Sequence, residues 1–404
     1  MDPDFRRGGA IGSDVGKTKD ESQLNYAPRR GFDGAMKISD VTLTLFRWDG
    51  IPALSYGPHV IYKAGSSQLG LLEIVTDEGV KGHAFLGSVN RPADRDGPSL
   101  IQYLKPMLIG QDPLNRERLN ERLWSQARST SVRAIGACDV ALWDIAGLVA
   151  NQPIYKLLGP YRTSLPAYAS SQALPSPQAY IDQAVEFRER GVNAYKIHPP
   201  HPWREDVRIC EAVRAALGDQ HVLMLDATWH YDYPTALRVG RAIEAATFHW
   251  YEDPLPERDL YNYVKLRQKL DIPILATELP FHGYPDYAIW ITERATDFLR
   301  GDVAFKGGIT TLIKTAHLAE GFAMNFEIHH GGNSLNNIAN LHVAVAIKNC
   351  EYFEVLLPDE ANKYAVIDDI EIDRAGLVHV PEAPGLGAKI DYDLIKRNQM
   401  GVLT

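Results

Sequence analysis

Residues 194–278 contain AYKIH (194–198), VLMLDA (222–227), HWYED (249–253) and ILATE (274–278). Each is a short apolar run that meets an ionisable residue near its end. Amphipathic stretches separate them: REDVRICEAVRAALG (204–218), PTALRVGRAIEAA (234–246) and DLYNYVKLRQKLD (259–271). Short β-type runs alternating with helices of that length predict βαβ units and a parallel sheet. LPAYAS (165–170) comes before them, and FLRGDVAF (298–305), NFEIH (325–329) and YFEVL (352–356) come after. Eight such runs in about 200 residues suit a (β/α)8-type barrel better than an open doubly wound sheet, and no GxGxxG opens the first unit.

The ionisable residues keep step with the repeats. Lys196, Asp226, Glu252, Glu278, Asp302, His329 and Glu354 are separated by 30, 26, 26, 24, 27 and 25 positions. A spacing close to one βα unit places each at the same point of its repeat, so closure gathers all seven at one rim. The C-terminal rim is where barrels of this kind carry their chemistry. Asp226, Glu252 and Glu278 are carboxylates on consecutive strands. Three anions brought together at low effective dielectric must be partly protonated or must share a cation. An all-oxygen donor set suits a hard divalent ion, Mg²⁺ first and Mn²⁺ second, one per chain.

These words together resemble the mandelate racemase subgroup of the enolase superfamily: Lys196 in YKIH, Asp226 in LMLDA, Glu252 in YEDPLP, Glu278 in LATE, Asp302 ahead of FKGGIT, His329 in FEIHHGGN and Glu354 in YFEVLLPD. DVALWDIAGLVANQPIYKLLG resembles that superfamily's cap–barrel junction, and the resemblance runs from about residue 36 to the end. It implies an N-terminal α+β capping domain (36–160), a modified (β/α)7β barrel (161–365) and a C-terminal segment (366–404) that rejoins the cap. Residues 1–35, rich in Gly and charge, read as a flexible arm or leader.

The resemblance further implies abstraction of the proton α to a substrate carboxylate. Asp226, Glu252 and Glu278 would be the metal ligands, and His329 paired with Asp302 a general base or acid. Glu354 would be a neutral acid with a raised pKa. Two adjacent histidines compete for the dyad, and alternation favours His329: with its side chain inward, Phe326 and Ile328 face the helices. His330 is then a candidate substrate contact. Relatives commonly carry Lys-x-Lys on the second strand, whereas this chain has Lys196-Ile197-His198, so Lys196 and, in the second lysine's place, His198 are catalytic candidates, each an alternative to the His329–Asp302 dyad as the first base. His230, just beyond Asp226, is a further candidate acid. Two cap loops, 47–59 and 87–97, supply candidate substrate contacts in Arg47, Trp48, Tyr56, His59, Asn90 and Arg91.

The activity this predicts is Mg²⁺-dependent dehydration of an acid sugar to a 2-keto-3-deoxy acid. The alternatives are a racemase or epimerase of a 2-hydroxy acid and, from another class, a catalytically silent barrel scaffold. Composition agrees with a small carboxylate as partner: Lys+Arg 42 against Asp+Glu 51 gives a net charge of −9, which disfavours nucleic acid. Three widely spaced cysteines form no disulfide or zinc pattern, and no apolar stretch is long enough to span a membrane, so the chain reads as cytoplasmic. Family habit adds a homo-oligomer, with an octamer among the expected sizes.

Overall fold

The computed structural model describes residues 36–278 and 283–404; the arm expected over 1–35 lies outside the described residues. The chain begins with an antiparallel cap sheet of β1 (Ile38–Ile51), β2 (Gly65–Thr76) and β3 (Lys81–Leu86). β1 alternates polar and apolar residues, burying Val41, Leu43 and Leu45 on one side, and pairs with β2 along nearly its whole length. After a helical stretch over residues 97–108 come the longer helices α1 (Arg116–Trp124) and α2 (Val132–Ala150).

α2 joins the parts of the molecule. Ser131 caps its N-terminus by accepting from the Ala134 amide, and left-handed Asn151 ends it. Ile135, Val140, Leu142 and Ile145 are fully buried along it, each contributing about 2 kcal/mol by removal from water. Its Asp139 accepts from the amide of Thr310 in the barrel, and its Asp144 from the amides of His83 in the cap and Leu386 in the C-terminal segment. Gly136 lets this helix lie directly on the barrel: a Cβ there would sit 2.2 Å from the Val303 carbonyl oxygen. Gly136→Val would therefore force cap and barrel apart.

The barrel strands are β4 (Ser164–Ser170), β5 (Ala194–Ile197), β6 (Val222–Asp226), β7 (Trp250–Glu252), β8 (Ile274–Ala276), β9 (Phe298–Gly301), β10 (Asn325–Ile328) and β11 (Phe353–Leu356). They pair in parallel in the order β10-β9-β8-β7-β6-β5-β4-β11, a nearly closed eight-stranded barrel. A helix follows each of the first seven strands, and the eighth runs into the tail. That is the modified barrel expected. In the tail, β12 (Leu377–His379) adds antiparallel to β4, and β13 (Gln399–Leu403) pairs with the free edge of β1, opposing Leu43 to Leu403. The C-terminal segment thus completes the cap sheet.

Side chains fill the barrel in layers, as alternation requires. Tyr168, Ala194, Met224, Trp250 and Leu275 form an apolar floor, with Phe298 and Tyr352 packed against it. Two residues further along each strand comes a polar layer: Ser170, Lys196, Asp226, Glu252, Thr277, Arg300 and Glu354, all buried. Among the described residues no helix is long and apolar enough to cross a membrane, and all three cysteines are buried and free.

Candidate active site

A cavity of about 290 Å³ lies between cap and barrel. Lys196, His198, Asp226, Glu278, His329, His330 and Glu354 line it from the barrel, and Tyr56, Tyr62, Ser88, Asn90 and Arg133 from the cap.

Beneath it the polar layer forms one ion network. The Lys196 ammonium lies 2.8 Å from Glu354 Oε1, 2.9 Å from Glu252 Oε2 and 3.2 Å from Asp226 Oδ2. Arg300 spans the same barrel from β9. Its Nε lies 2.5 Å from Glu252 Oε1, an ion pair whose angle falls outside a hydrogen bond, and its Nη2 donates to Glu354 Oε2 at 2.6 Å and to the Tyr168 hydroxyl at 2.9 Å. Burial acts against every charge in this layer, so the pairs decide the balance. Burial alone would raise the Glu354 and Asp226 carboxyls. Arg300 and Lys196 overcome it at Glu354, and Lys196 and His198 at Asp226, so both are held below the carboxylate range. For Glu252 burial prevails and its carboxyl stays raised despite Arg300 and Lys196. Burial and Arg300 oppose the charge on Lys196, yet Glu252 and Glu354 hold its ammonium well above the usual range. The neutral, proton-bearing Glu354 expected from the sequence is thus corrected: between two cations this carboxyl is ionised.

On the rim, His329 Nδ1 lies 2.7 Å from Asp302 Oδ2 and its Nε2 lies 3.4 Å from Glu278 Oε1. Burial lowers this imidazole, and the Glu278 and Asp302 carboxylates more than reverse the effect, leaving it raised. The adjacent His330 is built in differently. Its Nε2 meets the Asn337 amide at 2.7 Å, its Nδ1 accepts from the Gly332 amide, and its backbone N–H donates to Glu354. Burial pushes it down to about 4. His198 faces acceptors on both ring nitrogens, the Ser171 carbonyl at 2.6 Å and Asp226 Oδ2 at 3.0 Å.

A second group of carboxylates, with unmet oxygens, lies at the ends of β7 and β8. Glu252, Asp253 and Glu278 each present an oxygen within 4.8 Å of the others. Asp253 is fully buried, and neither of its carboxylate oxygens has a hydrogen-bond partner. Burial pushes the Asp253 and Glu278 carboxyls up, Asp253 further still through Glu257 and Glu278. Orphaned buried oxygens in an all-carboxylate set fit a hard divalent cation. Asp226 faces the same cavity, with its oxygens against Lys196, His198 and the Thr228 amide.

The remaining sequence candidates divide. Tyr56 and Asn90 are on the cavity wall. The Tyr56 ring lies 5.2 Å from His198, and its hydroxyl donates to the Leu357 carbonyl. Arg47, Trp48, His59, Arg91 and His230 are not on the wall, contrary to expectation. Arg47 pairs with Asp49; Trp48 turns into the cap core and stacks on Tyr364 at 5.3 Å; Arg91 is held in a fork by Asp96. His230 stacks on His201 at 4.2 Å and stands 5.5 Å from His59, outside the cavity lining. Sequence reading missed Asp253, Arg300 and Arg133. Arg300 had a signal, since it stands two positions before Asp302 on the same strand face; Arg133 had none.

Comparison with known proteins agrees with this architecture. Residues 179–394 match the enolase C-terminal domain-like family, and residues 57–159 match the mandelate racemase/muconate lactonizing enzyme N-terminal domain. The chain belongs to the mandelate racemase subgroup of the enolase superfamily. It is 30% identical to an arabinonate dehydratase of Saccharolobus solfataricus over 72% of this chain and 80% of the relative. An L-talarate/galactarate dehydratase of Salmonella typhimurium is 32% identical over 64% of this chain and 69% of the relative. A crystal structure of D-glucarate dehydratase from Agrobacterium tumefaciens, complexed with magnesium, superimposes with a TM-score of 0.81 at 33% identity, covering 91% of this chain and all of that one. Sugar-acid dehydratases thus stand among the relatives of this superfamily member.

Proposed function

We propose that this chain dehydrates an acid sugar to a 2-keto-3-deoxy acid with one Mg²⁺ per chain, Mn²⁺ being the second choice. Asp226, Glu252 and Glu278 would hold the ion, with Asp253 beside the latter two. When bound, the ion supplies charge stabilisation to the substrate carboxylate as the α-proton leaves. The observation that carries the reading is the Asp302-backed His329 imidazole, whose outward nitrogen lies 3.4 Å from Glu278. That contact supports reading His329 as a base next to the carboxylate set with the unmet demand for a cation.

In the proposed reaction His329 Nε2 takes the α-proton, and Asp302 fixes the ring's tautomer and stabilises the imidazolium that forms. The α C–H electron pair becomes a C=C bond as the β C–O bond breaks. The departing hydroxyl leaves as water, taking its proton from the His329 imidazolium, and the enol tautomerises to the 2-keto acid. Lys196 retains its proton throughout and keeps Asp226, Glu252 and Glu354 in register.

Racemisation needs a second base on the opposite face. Lys196, held by three carboxylates, is poorly placed to be one. Incubation with acid sugars and Mg²⁺, followed by a 2-keto acid assay, tests the reading. Product that disappears in His329→Asn supports it; α-proton exchange in D₂O with no keto product over the whole panel would overturn it.

A further inference from the structure

Arg133 has no role in the chemistry above, yet it stands on the wall of the same cavity. It belongs to the first turn of α2, where the helix dipole already disfavours positive charge. Its guanidinium carbon lies 4.4 Å over the ring of Phe305, and that ring is 5.6 Å from His329. Arg133 therefore lies on the His329 side of the cavity, one aromatic ring beyond the proposed base.

Among the described residues no carboxylate is within ion-pair distance of this guanidinium. The two acidic groups whose field reaches it are engaged elsewhere: Asp96 with Arg91 at 2.7 Å and Asp302 with His329 at 2.7 Å. Burial and the neighbouring Arg91 charge both push Arg133 below its usual range. A half-buried, unpaired cation on a cavity wall carries a standing desolvation cost, which an anion entering the cavity would offset. The nearby cap wall is polar but uncharged: the Asn90 side chain donates to the Tyr62 hydroxyl at 2.6 Å and accepts from Ser88 Oγ. That surface suits the hydroxyls of a short polyol chain.

We propose that Arg133 binds a second carboxylate at the far end of the substrate, so that the preferred acid sugars are dicarboxylic. The orientation rests on the reading above, which puts the first carboxylate at the Asp226–Glu278 end. A terminal carboxylate meets the guanidinium fork with two charge-assisted hydrogen bonds, whereas a terminal CH₂OH leaves the cation uncompensated.

The test compares galactarate, galactonate and 6-phosphogluconate in Mg²⁺ buffer with the wild-type chain and with Arg133→Gln. Equilibrium binding is measured by calorimetry, 2-keto acid formation is followed in parallel, and melting temperatures are compared. The expected result is that the wild-type chain binds galactarate at least about tenfold more tightly than galactonate. In Arg133→Gln that preference disappears, while galactonate binding and melting temperature hold, and any turnover loses KM rather than kcat. Equal affinity for the two acids, a preference that survives the substitution, or no binding of the diacid would overturn the proposal. Tighter binding of the phosphate-ended acid would overturn the dicarboxylic assignment. Diacid binding without turnover would leave Arg133's role standing and sink the dehydration reading instead.

Discussion

Arg300→Met tests whether the barrel's internal ion network is organised as described. Arg300 is completely buried and contacts Glu252 at 2.5 Å, Glu354 at 2.6 Å and the Tyr168 hydroxyl at 2.9 Å. In the polar layer two cations, Lys196 and Arg300, face three carboxylates, Asp226, Glu252 and Glu354. Methionine keeps much of the volume but leaves one cation against three anions, with Glu252 Oε1 lacking a partner. Removing one member of a buried pair costs about 3–5 kcal/mol, a large part of the roughly 5–15 kcal/mol that stabilises a typical domain. Urea unfolding in EDTA at pH 7.5, followed by tryptophan fluorescence, measures the loss; Trp250, which donates to Glu252, sits inside the network. Arg300→Met/Glu354→Gln returns the layer to an excess of one negative charge and is expected to recover at least about 1 kcal/mol over the single variant. Arg300→Lys keeps the charge without the fork and falls between. A single variant within about 1 kcal/mol of the wild type, or a double variant with the two losses simply added, would refute the charge-layer account.

Three further outcomes follow from the same structure. Asp253→Asn removes a buried carboxylate without a hydrogen-bond partner, so the metal-free protein should melt higher and gain less from added Mg²⁺; thermal melts with and without Mg²⁺ decide, and an unchanged Mg²⁺ response counts against Asp253. His329→Asn should slow turnover by about 10²–10⁴-fold, as loss of a general base does, while His330→Asn mainly lowers stability because its ring is tied to Asn337 and the Gly332 amide. Burial raises Asp139 from 3.8 to about 6, so between those values the folded state holds a proton that the unfolded state has released. Stability then falls as pH rises through that window, by about 3 kcal/mol for a shift of about two units. In Asp139→Asn the slope of urea midpoints against pH should flatten over the same range.

How much of this was legible in the sequence depended on the distance over which each feature is determined. One ionisable residue per βα repeat is a local pattern, and it marks the rim from sequence alone. Simple alternation would have turned Glu278 outward, because Leu275 belongs to the barrel floor. Left-handed Thr277, at φ 83°, swings the chain so that Glu278 faces the cavity, and Asp253, itself left-handed at φ 42°, brings an oxygen close to those of Glu252 and Glu278. Nothing in a strand pattern announces such residues. The cap residues failed for another reason: the partner that draws Trp48 inward is Tyr364, from the far end of the chain. Arg91 lost its role to Asp96, five positions away, because a fork between close neighbours outcompetes a ligand that is not always present.

The charge count explains why the site has two differently behaving halves. Lys196 and Arg300 neutralise most of the layer formed by Asp226, Glu252 and Glu354, leaving Glu252 Oε1 without a hydrogen bond. On the proposed reading Lys196, Arg300 and Glu354 hold a floor under the substrate, while Asp226 and Glu252 would also serve the ion. What remains uncompensated is confined to one arc of the rim: the Asp253 and Glu278 carboxylates on the β7–β8 side, and beside them the His329 ring, whose basicity Asp302 sustains. Demand for a cation and capacity for a proton thus meet across β8 and β10, two places apart in the barrel, about a hydrogen bond apart at Glu278 and His329. A carbon acid bound by its carboxylate at the first would present its α-proton to the second. With Lys196 already bound to three anions and so poorly suited to return a proton, the proposed reading is removal of that proton followed by departure of a neighbouring group.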